Sequence, residues 1–168
     1  LAGVSLSVRI RAKWKDKSFG SSGGFLFTHR GYSGPAVLDL SHVAVRSRIG
    51  RPATQAPAEP GASRTRERGD AAVFRVAWSS LGAEAWQQEF ANAAGLVLTA
   101  IARHVPQRLA EYLLNDAGVP LDRRASELRR QERIALIEAL TAYVLPWTGH
   151  EGYKKAEVTG GGVALDEV

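Results

Sequence analysis

A chain of 168 residues, 45% of them hydrophobic, can bury one core or two small ones. It has no cysteine, which excludes a disulfide framework and thiolate catalysis or metal binding, and no apolar run approaches the ~20 residues needed to cross a bilayer. The net charge of +5 invites a nucleic-acid reading, but much of the excess sits in or beside one Pro/Ala-rich stretch, at Arg46, Arg48, Arg51, Arg64, Arg66 and Arg68, where solvated charge is the simpler account.

Val4 to Trp14 alternates strictly: Val4, Leu6, Val8 and Ile10 share one face, Ser5, Ser7, Arg9 and Arg11 the other. That is a strand with one wet face. The same alternation, with no cleavage pattern, argues against a signal peptide. Lys15-Asp16-Lys17 reads as a turn, and Ser18 to Gly24 as a glycine- and serine-rich lead into the next strand. Gly20, Gly23 and Gly24 do not make a G-x-G-x-x-G fingerprint.

Phe25 to Ser41 is the stretch that organises the chain. Phe25, Phe27 and His29 alternate with Leu26 and Thr28, so a strand is predicted there, antiparallel to Val4–Trp14. Gly31 and Gly34 permit positive φ in the corner that follows. Pro35 suits the start of a helix, Ser33 or Gly34 its N-cap, and Val37, Leu40, Val43 and Ala44 carry the helical period to about Val45. Such a corner either receives an anion or polar edge on its backbone N–H groups or only joins and packs a strand and a helix.

Ile49 to Asp70 has three prolines and no apolar period, and is expected to be a mobile loop over residues 50–70. Ala72 to Trp78 returns to strand character, with Phe74, Val76 and Trp78 on one face. From Gly82 the period is helical. Trp86 and Phe90 mark a helix that Gly95 is expected to end; Leu96 to His104 is short; Pro106 is the predicted first residue of the next, with Leu109, Tyr112 and Leu113 on one face and Gly118 as its stop. Ser126 is the predicted cap of the last helical region, whose stripe is Leu136, Leu140, Tyr143 and Val144. Trp86, Phe90 and Tyr112 are expected in the core. Pro146 ends the helices, and Val144–Thr148 and Ala156–Thr159 look like strands again. The fold class is therefore α+β: a small β-barrel or β-sandwich-like subdomain (residues 1–80 and 144–168) with an inserted helical-bundle subdomain (81–143).

The histidines His29, His42, His104 and His150 show no metal-ligand spacing, so no metal site is predicted. No G-x-S-x-G elbow and no P-loop occurs. Asp39 and Glu157 are expected to make structural hydrogen bonds. The run Thr159-Gly160-Gly161-Gly162-Val163 either lets a flat ring or another backbone approach closely or serves as a hinge.

Two segments carry a resemblance. GGFLFTHRGYSGPAVLDLS resembles the FTH-x-G-x-SGPA-x-L segment, and KKAEVTGGGVALDEV the A-x-VT-x-GGV-x-L-x-E segment, of a bacterial flavoprotein family of NAD(P)/FAD-dependent oxidoreductases, some aminoacetone-oxidase-like. The resemblance implies that Thr159, Gly161, Gly162 and Val163 lie near the flavin of the intact protein. It marks Thr28, His29, Ser33, Gly34 and Pro35 as candidates either for the substrate side or for holding the fold. The family's N-terminal FAD fingerprint is absent here. With no methionine, position 1 included, and no polar tail, the chain is expected to be the inserted, substrate-covering middle of a longer enzyme. Its expected partners are the FAD-binding domain of the same protein and a small-molecule substrate; FAD belongs to the full-length protein and is not expected on this chain alone, NAD(P)H is a possible donor, and no membrane is expected. The expected location is cytoplasmic. A basic nucleic-acid-binding module, or a structural or dimerisation domain, are the alternatives, with nucleic acid ranked behind the flavoprotein reading.

Overall fold

A computed structural model describes residues 1–48 and 71–150. The 50–70 loop, the strand expected at Ala156–Thr159, Glu157 and the glycine run all lie outside the described residues. Within them the chain forms β1 (Ser5–Trp14), β2 (Lys17–Phe27), β3 (Tyr32–Ser33), α1 (Pro35–Arg48), β4 (Val73–Ala77), α2 (Ala83–Asn92), α3 (Val97–Ala102), α4 (Gln107–Asp116), a 3-10 turn at Ala125–Glu127, α5 (Arg130–Thr141) and β5 (Tyr143–Val144). The class is α+β, and the strands make one antiparallel five-stranded sheet, curled as a half-barrel, in the order β3-β2-β1-β4-β5.

The alternation in β1 does what the period demands: Val8, Ile10 and Ala12 are buried, and Ser5, Ser7, Arg9, Arg11 and Lys13 are exposed. Lys15 and Asp16 close the β1–β2 hairpin, with Lys15 at φ 52. The Gly/Ser run is where the sequence misleads. Ser18 to Gly24 is not a lead-in but the first part of β2, paired residue for residue with β1 from Ser18↔Lys13 to Gly24↔Ser7. Glycine and serine weaken a strand by propensity, but the β1 ladder holds them in register. Their bareness has a use where α1 begins. A Cβ at Gly23 would lie 3.7 Å from the Ala36 nitrogen and one at Gly24 3.4 Å from Pro35 Cδ, so α1 sits close over this part of the sheet. Ser21 donates to Asp39 Oδ2 at 2.8 Å across the same contact, a structural bond of the kind expected of Asp39. At its other end β2 stops at Phe27, so Thr28 and His29 belong to a turn, not to the strand.

α1 buries Ala36, Leu40 and Val43. Gly34 is its cap, since the Gly34 carbonyl accepts from Val37 and Leu38, both at 3.0 Å; Ser33 is in β3. The other helices follow their apolar faces, with small shifts at their ends. α2 buries Trp86 and Phe90, whose rings lie 5.5 Å apart, and stops at Asn92 with Ala93 extended, before Gly95 is reached. Pro106 stands one place outside α4, as its N-cap, because its extended ψ of 137° is not helical. Gly118 ends α4 at φ 71, as read from the sequence. Ser126 lies in the 3-10 turn and does not cap α5. The cap is Arg129, whose N–H donates to Glu132 Oε2 at 2.9 Å. α5 ends at Thr141, so the stripe Leu136, Leu140, Tyr143 and Val144 runs across two elements: Leu136 and Leu140 are buried in the helix, and Tyr143 and Val144 form the edge strand against β4.

Sheet and helices share one hydrophobic core. Backbone bonds tie them together: the Trp78 N–H donates to the Leu140 carbonyl at 3.0 Å, and the Leu145 N–H to the Phe74 carbonyl at 2.9 Å. Past β5, Trp147 Nε1 donates to the Ala72 carbonyl at 3.0 Å, and the Arg48 guanidinium lies 4.7 Å over the Trp147 ring.

Candidate functional site: an aromatic cleft at the sheet end

Where β2 and β4 end and β5 begins, five aromatic rings converge. Phe27 closes β2, Tyr32 opens β3, Trp78 follows β4, Tyr143 opens β5, and α4 sends Tyr112 across from the helical side. Leu1, Leu109, Leu145 and Pro146 complete the lining of a cleft of about 220 Å³. Trp78 is its buried centrepiece. It stacks on Phe27 at 5.7 Å and 26°, meets Phe25 edge-on at 5.5 Å, and lies 5.7 Å from Tyr143. The Tyr112 and Tyr143 hydroxyls are 3.2 Å apart and share a hydrogen bond.

Tyr112 corrects an expectation. The i, i+3, i+4 spacing puts it beside Leu109 and Leu113, but it is 42% exposed and stands at the mouth of the cleft, while the two leucines are fully buried. A tyrosine on the margin of an apolar stripe keeps its ring against the core and its hydroxyl in the wet part.

The Tyr32 and Tyr143 hydroxyls hold their protons more tightly than a free phenol. Burial pushes the Tyr32 pKa up to about 12, with the nearby Tyr112 adding to the rise. Burial also raises that of Tyr143, reinforced by its hydrogen bond with Tyr112 and by the charges that Tyr112, Asp116 and Tyr32 would carry. The cleft therefore offers phenol O–H groups and apolar ring faces, and among the described residues no charged acidic or basic side chain lines it.

Raised phenol pKa values have a consequence for stability. Unfolding frees Tyr32 and Tyr143 to ionise near pH ~10, whereas the folded chain resists ionisation until higher pH. Their contribution is complete below the unfolded pKa and is lost as pH rises through the folded one. Urea midpoints are thus expected to fall from pH 10 towards pH 12. In a Tyr32→Phe/Tyr143→Phe variant the fall should be shallower. An equally steep fall in the variant would show that other groups cause it.

The residues singled out at the strand-to-helix corner are chain neighbours of Phe27 and Tyr32 but do not line this cleft. Thr28 organises the turn. Its Oγ1 accepts from the N–H groups of Arg30 and Gly31 at 3.2 and 3.0 Å and donates to the Gly31 carbonyl, which also takes the Thr28 N–H at 2.8 Å. The N–H groups expected to receive a ligand are thus engaged by Thr28 itself. His29 is exposed at the tip of this turn. Ser33 lies in the short β3 strand, Gly34 caps α1 and Pro35 begins it. What the stretch supplies to the cleft is Phe27 and Tyr32, on either side of that turn. Sequence reasoning missed all five cleft aromatics, Phe27, Tyr32, Trp78, Tyr112 and Tyr143, as site residues; the available signal was that aromatic residues recur where strands end or begin. Among the described residues no group of three or more histidine, aspartate or glutamate side chains could hold a metal ion.

A curled antiparallel sheet and helices packed into the same core define an α+β fold that carries an aromatic cleft. Residues 79–158 match the family described as HI0933-like protein barrel and H2TH domain. This supports the expected flavoprotein family broadly, but not its aminoacetone-oxidase-like naming. The chain is similar to the ribosomal RNA dihydrouridine synthase of Escherichia coli (strain K12), at 32% identity over 143 residues, covering 85% of this chain and 30% of that protein. It is also similar to the ribosomal RNA dihydrouridine synthase of Haemophilus influenzae (strain ATCC 51907 / DSM 11121 / KW20 / Rd), at 28% identity over 163 residues, covering 97% of this chain and 34% of that protein. The chain thus spans about a third of the length of these relatives.

Proposed function

We propose that this chain is the substrate-covering part of an FAD-dependent oxidoreductase that reduces uridine in ribosomal RNA. The observation that carries the reading is the likeness over 85% of the chain to a relative named for that reaction. The cleft supports it. A base buried in folded RNA must leave its stack to be reduced, and extruded bases are gripped by aromatic faces and by hydrogen bonds to their edges. The cleft presents Phe27, Trp78 and the tyrosines as faces, and neutral phenol O–H groups as donors to the two uracil carbonyls. A free nucleotide or other small molecule would meet the same groups.

FAD does not fit the described residues. A cleft of about 220 Å³ is below the ~300–1,000 Å³ of sites for ligands of drug size, and FAD is larger still. The corner nearest to a pyrophosphate cradle is filled by backbone, since a Cβ at Gly34 would lie 2.5 Å from the Gly24 carbonyl oxygen. In this reading the flavin belongs to another part of the intact protein, towards which the segment with Thr159, Gly161, Gly162 and Val163 leads, and residues 81–143 are a helical insert in the β unit. These relatives give NAD(P)H no support as the donor. This chain's residues bind and orient the base and exclude water from it.

Tyr112→Phe and Tyr143→Phe in the intact protein keep both rings and remove the donors. Dihydrouridine formation in ribosomal RNA should fall roughly tenfold in kcat/KM for each, the effect of one net hydrogen bond. Unchanged kcat/KM in the double variant would remove the cleft from the reading.

A further inference from the structure

The sheet has a second face, turned away from the core, and its chemistry is unlike that of the cleft. β1 exposes Arg9, Arg11 and Lys13 there, and β4 exposes Arg75. The register sets Arg11 directly opposite Arg75, Arg9 opposite Ala77 and Lys13 opposite Val73. On the other side of β1 the same three cations stand opposite Ser22, Gly20 and Ser18 of β2. A basic row is therefore flanked on the β2 side by a lane of small residues, Ser18, Gly20 and Ser22. None of the five strands contains an aspartate or glutamate. Among the described residues, Arg9, Arg11, Lys13 and Arg75 make no ion pair.

Like charges directly opposite each other on neighbouring strands destabilise a sheet. The Arg11–Arg75 pair is such a juxtaposition, and among the described residues no carboxylate on a strand relieves it. Folding alone gives no reason to gather these cations on one face. A polyanion does: it would neutralise all of them together. Alternate residues of a strand stand roughly 7 Å apart, a repeat suited to successive phosphates of an extended strand. The Ser18 and Ser22 hydroxyls beside the row add donors for phosphate oxygens, and Gly20 between them leaves room for a backbone to lie flat.

We infer that this outer sheet face, built on Arg9, Arg11, Lys13 and Arg75, binds the sugar-phosphate backbone of single-stranded RNA. The inference rests on the reading of ribosomal RNA as substrate, and it adds a second surface, on the opposite side of the sheet from the core. Backbone contacts of this kind position an RNA without reading its sequence, leaving base selection to the cleft.

The test compares the whole protein with its Arg11→Ser/Arg75→Ser variant, using a labelled oligouridine and anisotropy over a range of salt. A control variant, Arg124→Ser/Arg130→Ser, removes the same charge from exposed positions outside the sheet, one just before the 3-10 turn and one at the start of α5. The plot of log affinity against log salt should flatten by about 1.4 in the sheet variant, from two phosphate contacts at ~0.7 each. Its affinity at low salt should fall roughly tenfold or more, with the control near wild type. Equal losses in both variants, or binding insensitive to salt, would overturn the inference. So would tighter binding to phosphatidylserine vesicles than to the RNA, which would mark the face as a lipid-headgroup surface. Because the readout is binding alone, absence of dihydrouridine formation by the wild-type whole protein, with Arg11- and Arg75-dependent RNA binding present, would overturn the enzymatic reading and leave this one standing.

Discussion

Gly34→Ala is expected to destabilise the chain by about 3 kcal/mol or more, a large share of the stability of a domain this size. Two costs coincide at that position. The residue sits at φ 102, where a side chain is strained. The new Cβ would also lie 2.5 Å from the Gly24 carbonyl oxygen and 3.2 Å from the Phe25 Cα, both of them backbone atoms of β2 that cannot swing aside. Relief requires α1 to lift off the sheet, and with it Ala36, Leu40 and Val43. Gly31→Ala is the matched control. Its φ is 153, but nothing lies within 4 Å of the added carbon, so strain acts alone and the cost should be about 1 kcal/mol. Urea denaturation of both variants decides the matter. A loss for Gly34→Ala no greater than for Gly31→Ala would show that the close approach of α1 to β2 does not constrain the fold.

That pair of glycines also shows what could be read from the sequence. The corner itself was legible: a run of aromatic strand, two glycines, a proline and a helical period leave few other local structures. The alternation of β1 and β4 was legible for the same reason, because one face of each had to be apolar to be buried. The glycine-rich half of β2 was not. Its residues have neither the propensity nor the pattern of a strand, and it is held by partners whose register lies outside any local window. Serine at 126 has the chemistry of a cap, but the 3-10 turn intervenes and a glutamate three residues on closes the helix end from Arg129 instead. The cleft was the least legible feature. Phe27, Tyr32, Trp78, Tyr112 and Tyr143 come from five elements or their ends, and each taken alone looks like an ordinary core aromatic. Only the sheet order, which brings the end of β2 and the end of β4 to one side of the helices, makes them a site. The basic face was visible as alternating arginines on β1, but its fourth member, Arg75, joins only through the β1–β4 register.

Trp78→Ala is expected to cost about 3–5 kcal/mol and to alter the cleft at the same time. The indole is 2% exposed and forms the contact between the sheet aromatics Phe25 and Phe27 and Tyr143 on the edge strand. Its removal leaves a void beside the cleft, and an opening already lined by polar hydroxyls admits water more readily than a closed apolar cavity does. Water there weakens the desolvation that holds Tyr32 and Tyr143 neutral. The phenols of the variant should therefore ionise at lower pH than in the wild type, seen as phenolate absorbance appearing earlier in an alkaline titration of protein that is still folded. Trp78→Phe keeps a ring in place, and its loss should be well under that of alanine, with the phenol titration close to wild type. The two measurements separate packing from electrostatics. If alanine lowers stability but leaves the titration unmoved, Trp78 fills space without keeping the cleft dry, and the tyrosines owe their neutrality to other neighbours. If both move together in alanine and neither does in phenylalanine, an aromatic ring at position 78 is what joins the core to the site.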